Sequence, residues 1–281
     1  MVRTSDINGK WCPCCGAVEA IELEIKRYHQ CSNCLHIWID TSDVLDKNYY
    51  ENLTERNPPE YEWSVDKYNE RSGFLDLFIT DKTQRVLEVG CAEGALGAKL
   101  KSNKSVLYHG VELSKDRFSA AKHLDKVFDV ISGEIVEEPY DLILSFHVLE
   151  HVHDVVSEIL SWKKLLKDDG LIVFEVPNLS GHEWVEIDQN KEHIHQFSIL
   201  SVIHLLKCTD LECVQLSTGH FESPLYNDSI RVVAKKHKTQ EKRREELLHN
   251  IGLKLGEGFY IYGVGGDFRS YVLPVLSDVN V

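Results

Sequence analysis

The chain has 281 residues, 43% of them hydrophobic and 27% charged, with 31 Lys and Arg against 45 Asp and Glu for a net charge of −14. That length can bury a substantial core and hold more than one structural unit, and the acidic balance works against generic binding of phosphate backbones. The opening MVRTSDINGKW lacks a signal-peptide layout and no apolar run reaches membrane-span length, so a cytoplasmic, reducing location is expected, where cysteines read first as metal ligands or core thiols.

The first motif is Cys12-x-x-Cys15, fifteen residues, then Cys31-x-x-Cys34. Two-residue gaps let each turn chelate with both thiolates, which is the spacing of a four-cysteine structural zinc site with no position open for water. Cys14 is a surplus thiol, and a disulfide is the lesser alternative. Val18 to His29 reads as a short hairpin that brings the two turns together. This small zinc ribbon is placed at residues 1–45, where a metal supplies folding energy that so short a segment cannot draw from its core.

Residues 46–84 form a polar, aromatic-rich connector interrupted by Pro58 and Pro59, with a helix through DKYNERSGFLDLFI. Tyr49 and Tyr50 in it read as lid residues over a substrate or as packing between ribbon and core. From Arg85 to 236 strands and helices alternate: RVLEVG, ALGAKLKS, SVLYHGVEL, DRFSAAKHL, KVFDVI, YDLILSF, DVVSEILSWKKLLK and GLIVFEVP. Alternation of this kind predicts an α/β fold, a mostly parallel Rossmann-like sheet covered by helices. LECVQLS and SIRVVAKK read as an antiparallel hairpin closing one edge. Residues 237–281 begin with a charged helix and end in a partial nucleotide-fold-like β-α unit around Gly263, Gly265 and Gly266, too little for a ligand site alone.

VLEVGCAEGALG places Gly90, Gly94 and Gly97 at a strand-to-helix turn, with Ala92 where a dinucleotide fingerprint has its middle glycine. Glu112, 22 residues past Gly90, is placed to accept both hydroxyls of a ribose. No Gly-Lys-Ser/Thr follows the turn, so a P-loop is excluded. Four stretches in order, VLEVGCAEGALG, HGVELS, YDLILSFHVLEHV and LLKDDGLIVFEVPN, resemble the class I S-adenosylmethionine-dependent methyltransferases across roughly residues 80–235. The resemblance implies that Glu88 lies near the methionyl ammonium and that the backbone of Gly90, Cys91, Ala92 and Gly94 approaches the cofactor. It also implies that Glu112 holds the ribose, Leu113 flanks the adenine, Glu134 reaches the adenine amino group, and Phe146 and His147 stand beside the sulfonium.

Methyl transfer needs an aligned nucleophile and often a base. His147 and His151 flank the end of the fourth strand, and His193 and His195 lie in NKEHIHQFS, read as a loop or short helix covering the site. His151 also reads as a helix cap or packing residue, and His153 and His204 as structural or surface residues. A four-cysteine ribbon, this core and a nucleotide-fold-like tail together resemble the nucleotide-sugar C-methyltransferases, which methylate a carbon beside a keto group through a base-generated enolate. The Tyr-His-Glu-His-type motif of that family falls at Lys191-Glu192-His193-Ile194-His195, with the histidines kept and the tyrosine absent.

The expectation is an S-adenosylmethionine-dependent enzyme acting on a nucleotide-linked sugar, by C- or O-methylation, as a possible homodimer without a membrane span. The alternatives are an RNA base methyltransferase gripping RNA through Lys10, Trp11, Lys26, Arg27, Tyr28 and His29 of the ribbon, and a non-catalytic cofactor-binding scaffold.

Overall fold

The structure is a computed structural model, and it describes residues 11–18, 20–22, 28–39, 49, 61–179, 192–223 and 226–237. Tyr50, Lys10, Lys26, Arg27, the charged segment from 238 and the glycines at 263–266 lie outside the described residues. Among the described residues no helix is long and apolar enough to cross a membrane.

Two short sequences set up the N-terminal unit. In CPCCGA and CSNCLH the N–H of the first cysteine donates to the carbonyl five residues on (Cys12 to Ala17, 2.8 Å; Cys31 to His36, 2.8 Å). The residue after the second cysteine donates back to the first (Gly16 to Cys12, 2.8 Å; Leu35 to Cys31, 3.0 Å). Both Gly16 and Leu35 adopt positive φ, 71° and 59°, which turns the chain tightly enough for the two thiols to face one way; glycine does this freely and leucine at a cost. Strands β1 (Ala20–Glu22), β2 (Tyr28–Cys31) and β3 (Ile37–Ile39) follow, in antiparallel order, and the sheet is completed by β9 (His195–Gln196). The NKEHIHQFS segment is therefore not a covering loop or short helix at His195: there it is a strand paired to β3, with Trp38 opposite His195 and Ile37 opposite Gln196.

The helix expected soon after Pro59 is α1 (Tyr61–Leu75), and it ends before the last four residues of DKYNERSGFLDLFI. The large sheet comprises β4 (Arg85–Val89), β5 (Leu107–Val111), β6 (Lys126–Phe128), β7 (Tyr140–Phe146), β8 (Leu166–Pro177), β10 (Leu211–Gly219) and β11 (Ser229–Lys236). The order is β10-β11-β8-β7-β4-β5-β6. The four pairs from β8 to β6 are parallel, and β11 runs antiparallel to both β8 and β10. β4, β7 and β11 are buried along nearly their whole length, as a sheet covered on both faces requires. Helices α2 (Ala95–Asn103), α3 (Arg117–Ala120) and α4 (Val155–Leu165) connect the strands. The α3 helix is shorter than DRFSAAKHL suggested, and β8 starts straight after α4, its extra residues absorbed by a register shift opposite Tyr140 and Leu142.

A further helix, α5 (Ile199–Cys208), was not expected from the sequence. It starts in a capping box in which the Ser198 side chain accepts from the Ser201 N–H and the Ser201 hydroxyl from the Ser198 N–H. Its core face is Val202, Leu205 and Leu206, all 2% exposed or less, and burying each such side chain contributes about 1.5–3 kcal/mol.

Candidate active site

The carboxyl ends of the parallel strands converge, and in open α/β sheets ligands bind there. After β4 the chain turns through Gly90 (φ +75°), Ala92 (φ +47°) and Gly94 (φ +81°) before entering α2. A Cβ at Gly90 would lie 2.3 Å from Val148 Cγ2, so a side chain there is excluded by contact as well as by φ. The Cys91 thiol packs inward, close enough to β5 that a Cβ on Gly110 would sit 2.4 Å from its Sγ. It is therefore the backbone of residue 91, not its thiol, that faces outward.

Glu112, just past β5, accepts the Ala92 N–H on Oε2 (2.9 Å) and the Ser114 N–H on Oε1 (2.8 Å). These two bonds aim the carboxylate and leave a lone pair on each oxygen for ligand hydroxyls. Leu113 beside it is half-buried, while Glu134, in a 3-10 turn at Ser132–Glu134, is exposed. Glu88 is buried at the end of β4, where burial pushes its carboxyl up to about 7 despite the Tyr108 hydroxyl donating to it at 2.9 Å. Opposite the turn stands α1, which the sequence reading treated as a connector. Its Tyr68 hydroxyl donates to Glu93 (2.9 Å), and its Lys67 and Arg71 place positive charge toward Glu88. Burial and the neighbouring Arg71 lower the Lys67 ammonium to about 8.

The second half of the site follows β7. Phe146, the last residue of the strand, lies under the Arg71 guanidinium, 4.3 Å from ring centre to Cζ. His147 then takes φ +58°, a costly conformation for a residue with a Cβ. It is held by its N–H donating to the Glu175 carbonyl (2.9 Å) and by Nε2 against the Glu175 carboxylate (2.7 Å). Its Nδ1 faces Glu150 at 3.4 Å. Burial works to lower the His147 imidazole, but the carboxylates of Glu150 and Glu175 outweigh it and hold the group above its ordinary value. Tyr226 stacks on it at 4.4 Å.

Around Glu150 the other imidazoles gather. His151 Nδ1 donates to the Glu192 carbonyl at 3.0 Å, which turns Nε2 toward Glu150, 4.0 Å away. His193 packs edge-on to His151 at 4.7 Å, and its Nε2 meets the Tyr226 hydroxyl at 3.0 Å. Burial lowers His193 to about 4, so at neutral pH its ring carries no charge. Glu150 is fully buried, and neither carboxylate oxygen has a hydrogen-bond partner among the described residues. Burial would raise it, but the side-chain contact with His147 outweighs that and keeps the carboxyl lowered. One ligand atom each from Glu150, His151 and His193 lies within 4.8 Å of the others. Two imidazoles and one carboxylate are a donor set that suits zinc, manganese or ferrous iron.

Behind His147 lies an ion network that no local motif announced. Glu175, on β8, is 1% exposed and accepts from Arg71 (3.2 Å) and Arg231 (2.8 Å) as well as His147. Burial alone would raise its carboxyl, yet these three partners hold it well below the usual carboxylate range. Arg231 in turn makes two bonds of 2.6 Å to Glu70 of α1. Helix α1 is thus tied to β8 and β11 across the site.

The structure therefore brings together three of the four expected histidines, His147, His151 and His193. It does not bring His195 to them. His195 is buried under the ribbon, its Nδ1 3.0 Å from His36 Nε2, and burial lowers both rings, His195 to about 4. Tyr49, weighed as a lid, donates its hydroxyl to Glu192 at 2.9 Å, next to His193. At the ribbon, the Cys12 and Cys34 sulfurs are 3.5 Å apart, as are those of Cys15 and Cys31, and all four lie within 4.8 Å. Sulfurs around a tetrahedral zinc with bonds of about 2.3 Å would be separated by nearly the same distance, so this set fits a metal. The Cys14 thiol is buried in the core and outside the set.

A mostly parallel sheet in this order, with a carboxylate-clamped glycine turn after its central strand β4, is the fold of the class I S-adenosylmethionine-dependent methyltransferases. Residues 61–216 match the family described as methyltransferase domain, and the chain belongs to that family. It is 28% identical over 175 residues to the ubiquinone biosynthesis O-methyltransferase of Glaesserella parasuis, spanning 51% of this chain and 74% of that protein. The protein of the same description from Neisseria meningitidis serogroup C is 22% identical over 179 residues, 55% of this chain and 74% of that one. Among solved structures, magnesium protoporphyrin IX methyltransferase from Synechocystis PCC 6803 with bound S-adenosylmethionine superimposes with a TM-score of 0.52 at 12% identity, covering 70% of this chain and all of that one. The Burkholderia thailandensis 1,6-didemethyltoxoflavin-N1-methyltransferase gives 0.51 at 16% identity, covering 63% and 82%.

Proposed function

We propose that the chain methylates a small molecule whose nucleophile is exposed by loss of a proton to His193, either an enolate carbon or an oxygen. The observation that carries this reading is the placing of His193, its Nε2 3.0 Å from the Tyr226 hydroxyl and its ring packed on His151 beside Glu150, at the strand end where the sulfonium would lie. Bound S-adenosylmethionine supplies an electrophilic methyl group. Glu112 would take the ribose, with Leu113 beside the adenine and Glu134 near its amino group. Glu88 would face the methionyl ammonium and Lys67 and Arg71 its carboxylate, with the backbone of residues 90–94 against the chain of the ligand. Phe146 and His147 would flank the reacting carbon. Replacing Glu112 by Ala is expected to weaken S-adenosylhomocysteine about tenfold or more in calorimetry, the loss of two charge-assisted hydrogen bonds. An unchanged affinity would remove Glu112 from the cofactor site.

The four ribbon cysteines would hold one structural zinc. For the acceptor, a nucleotide-linked keto sugar is the leading class, since a four-cysteine ribbon ahead of this core is the arrangement that the sequence shares with enzymes of that kind. An acceptor oxygen, such as that of a phenol, is the second reading, favoured by the description of the relatives above as O-methyltransferases. The deciding assay follows labelled methyl transfer into thymidine and uridine diphosphate keto sugars, catechols and a short structured RNA. Carbon-bound label in a sugar supports the first class and oxygen-bound label in a catechol the second; salt-sensitive transfer to RNA alone would overturn both. Running each arm with and without manganese tests the Glu150, His151 and His193 set. A requirement for manganese that Glu150→Gln abolishes assigns a cation to it.

A further inference from the structure

Ile194 is where the ribbon and the site meet. Its N–H donates to the Glu150 carbonyl at 2.9 Å, and its own carbonyl accepts from the Ile39 N–H at 3.1 Å. One residue thus bonds to the histidine-bearing turn on one side and the end of β3 on the other. The next residues continue the attachment: β9 pairs with β3, the Ser198 hydroxyl donates to the Cys34 carbonyl at 2.9 Å, and His36 and His195 meet at 3.0 Å. The rings of His36 and His195 stack at 5.2 Å, with Phe197 5.0 Å from His36.

A strand of two residues is a weak determinant of register. It offers too few side chains for a hydrophobic pattern to select one pairing over a slip, and a slip of one residue would move the chain by about 3.3 Å. His193 is one residue ahead of Ile194, so any such movement would be passed to it. The His36–His195 contact is directional, buried, and possible in one register only. It also has a cost, because His36 Nδ1 finds no partner among the described residues, and an apolar pair there would pack without that cost.

We infer that the ribbon is a positioning element for the active site, with His36 locking β9 in the register that presents His193 to Glu150 and Tyr226. The inference rests on the reading of His193 as a residue of the reaction site, and it gives the four-cysteine unit a part in turnover beyond its own folding. His36 touches neither acceptor nor cofactor and acts through His195 and Ile194. A displacement of one ångström at a catalytic group can cost on the order of a hundredfold, so a partial loss of register has a measurable kinetic effect.

The experiment compares His36→Leu, His36→Gln and His193→Ala in the full, zinc-replete chain. It measures zinc content, S-adenosylhomocysteine affinity, kcat, acceptor KM and the imidazole resonances of His193. The expected result is a kcat about tenfold or more lower in His36→Leu, with zinc content and cofactor affinity kept and the His193 resonances shifted. Partial recovery is expected in His36→Gln, whose amide can still hydrogen-bond His195. Wild-type kcat with unshifted resonances in His36→Leu would overturn the inference. So would loss of zinc in that variant, which would make His36 a support of the ribbon only. If His193→Ala itself leaves kcat unchanged, the reading of His193 as a residue of the reaction site fails instead, and the resonance shift still reports whether His36 places that ring.

Discussion

Glu175→Gln is expected to lower the unfolding free energy by about 3–5 kcal/mol at neutral pH, the range for removing one partner of a buried ion pair. The carboxylate is the common acceptor for Arg71, Arg231 and the His147 ring. An amide of the same shape leaves Arg71 without its acidic partner and Arg231 with Glu70 alone. The pH dependence follows from the direction of the shift. A carboxyl depressed in the folded state contributes stability that is whole above its unfolded value and is lost as the pH falls below it. The gap between wild type and variant should therefore narrow below about pH 4.3. Urea unfolding across that range is the check, and a neutral-pH deficit under about 1 kcal/mol would mean that the network is solvated rather than buried.

The second large effect concerns His193. Its replacement by Ala should reduce kcat by about 10²- to 10⁴-fold, as for loss of a general base, while S-adenosylmethionine affinity stays within about twofold, because only a transition-state interaction is removed. His147→Ala should behave differently. With both ring nitrogens facing carboxylates, His147 has no lone pair turned to an acceptor, and its removal exposes Glu150 and Glu175 to each other's charge. Lost stability and weakened cofactor binding are expected there. Full turnover in His193→Ala together with loss of turnover in a folded His147→Ala would reverse the two roles.

These two residues also show what the sequence could and could not disclose. The meeting of Glu112 with the glycine turn was legible because it is a local arrangement, confined to one turn and the strand beside it. The cysteine pairs were legible for the same reason, each pair belonging to one turn. The part played by Glu175, Arg231, Tyr226 and Arg71 was not, since it depends on four elements meeting and no spacing encodes that. Helix α5 escaped because SILSVIHLLK is an apolar run that periodicity alone does not separate from a buried strand; the Ser198 and Ser201 cap was the available signal. His195 was grouped with His193 by proximity in the chain, whereas its partner is a strand far away in sequence. Sheet pairing over such a distance leaves no mark in either segment.

The pairing of β3 with β9 has a consequence for how the molecule is made. Trp38 and His195 are opposite each other although 157 positions apart. At about 5–20 residues per second of synthesis, the cysteine turns wait roughly ten to thirty seconds on the ribosome before their last strand is even present. The four-cysteine unit precedes the core, yet its sheet closes only when the core has nearly all emerged, and the same closure brings His193 to Glu150. The glycine turn and Glu112 are therefore made well before His193 can reach Glu150, and a nascent chain halted in between would have one half of the site without the other.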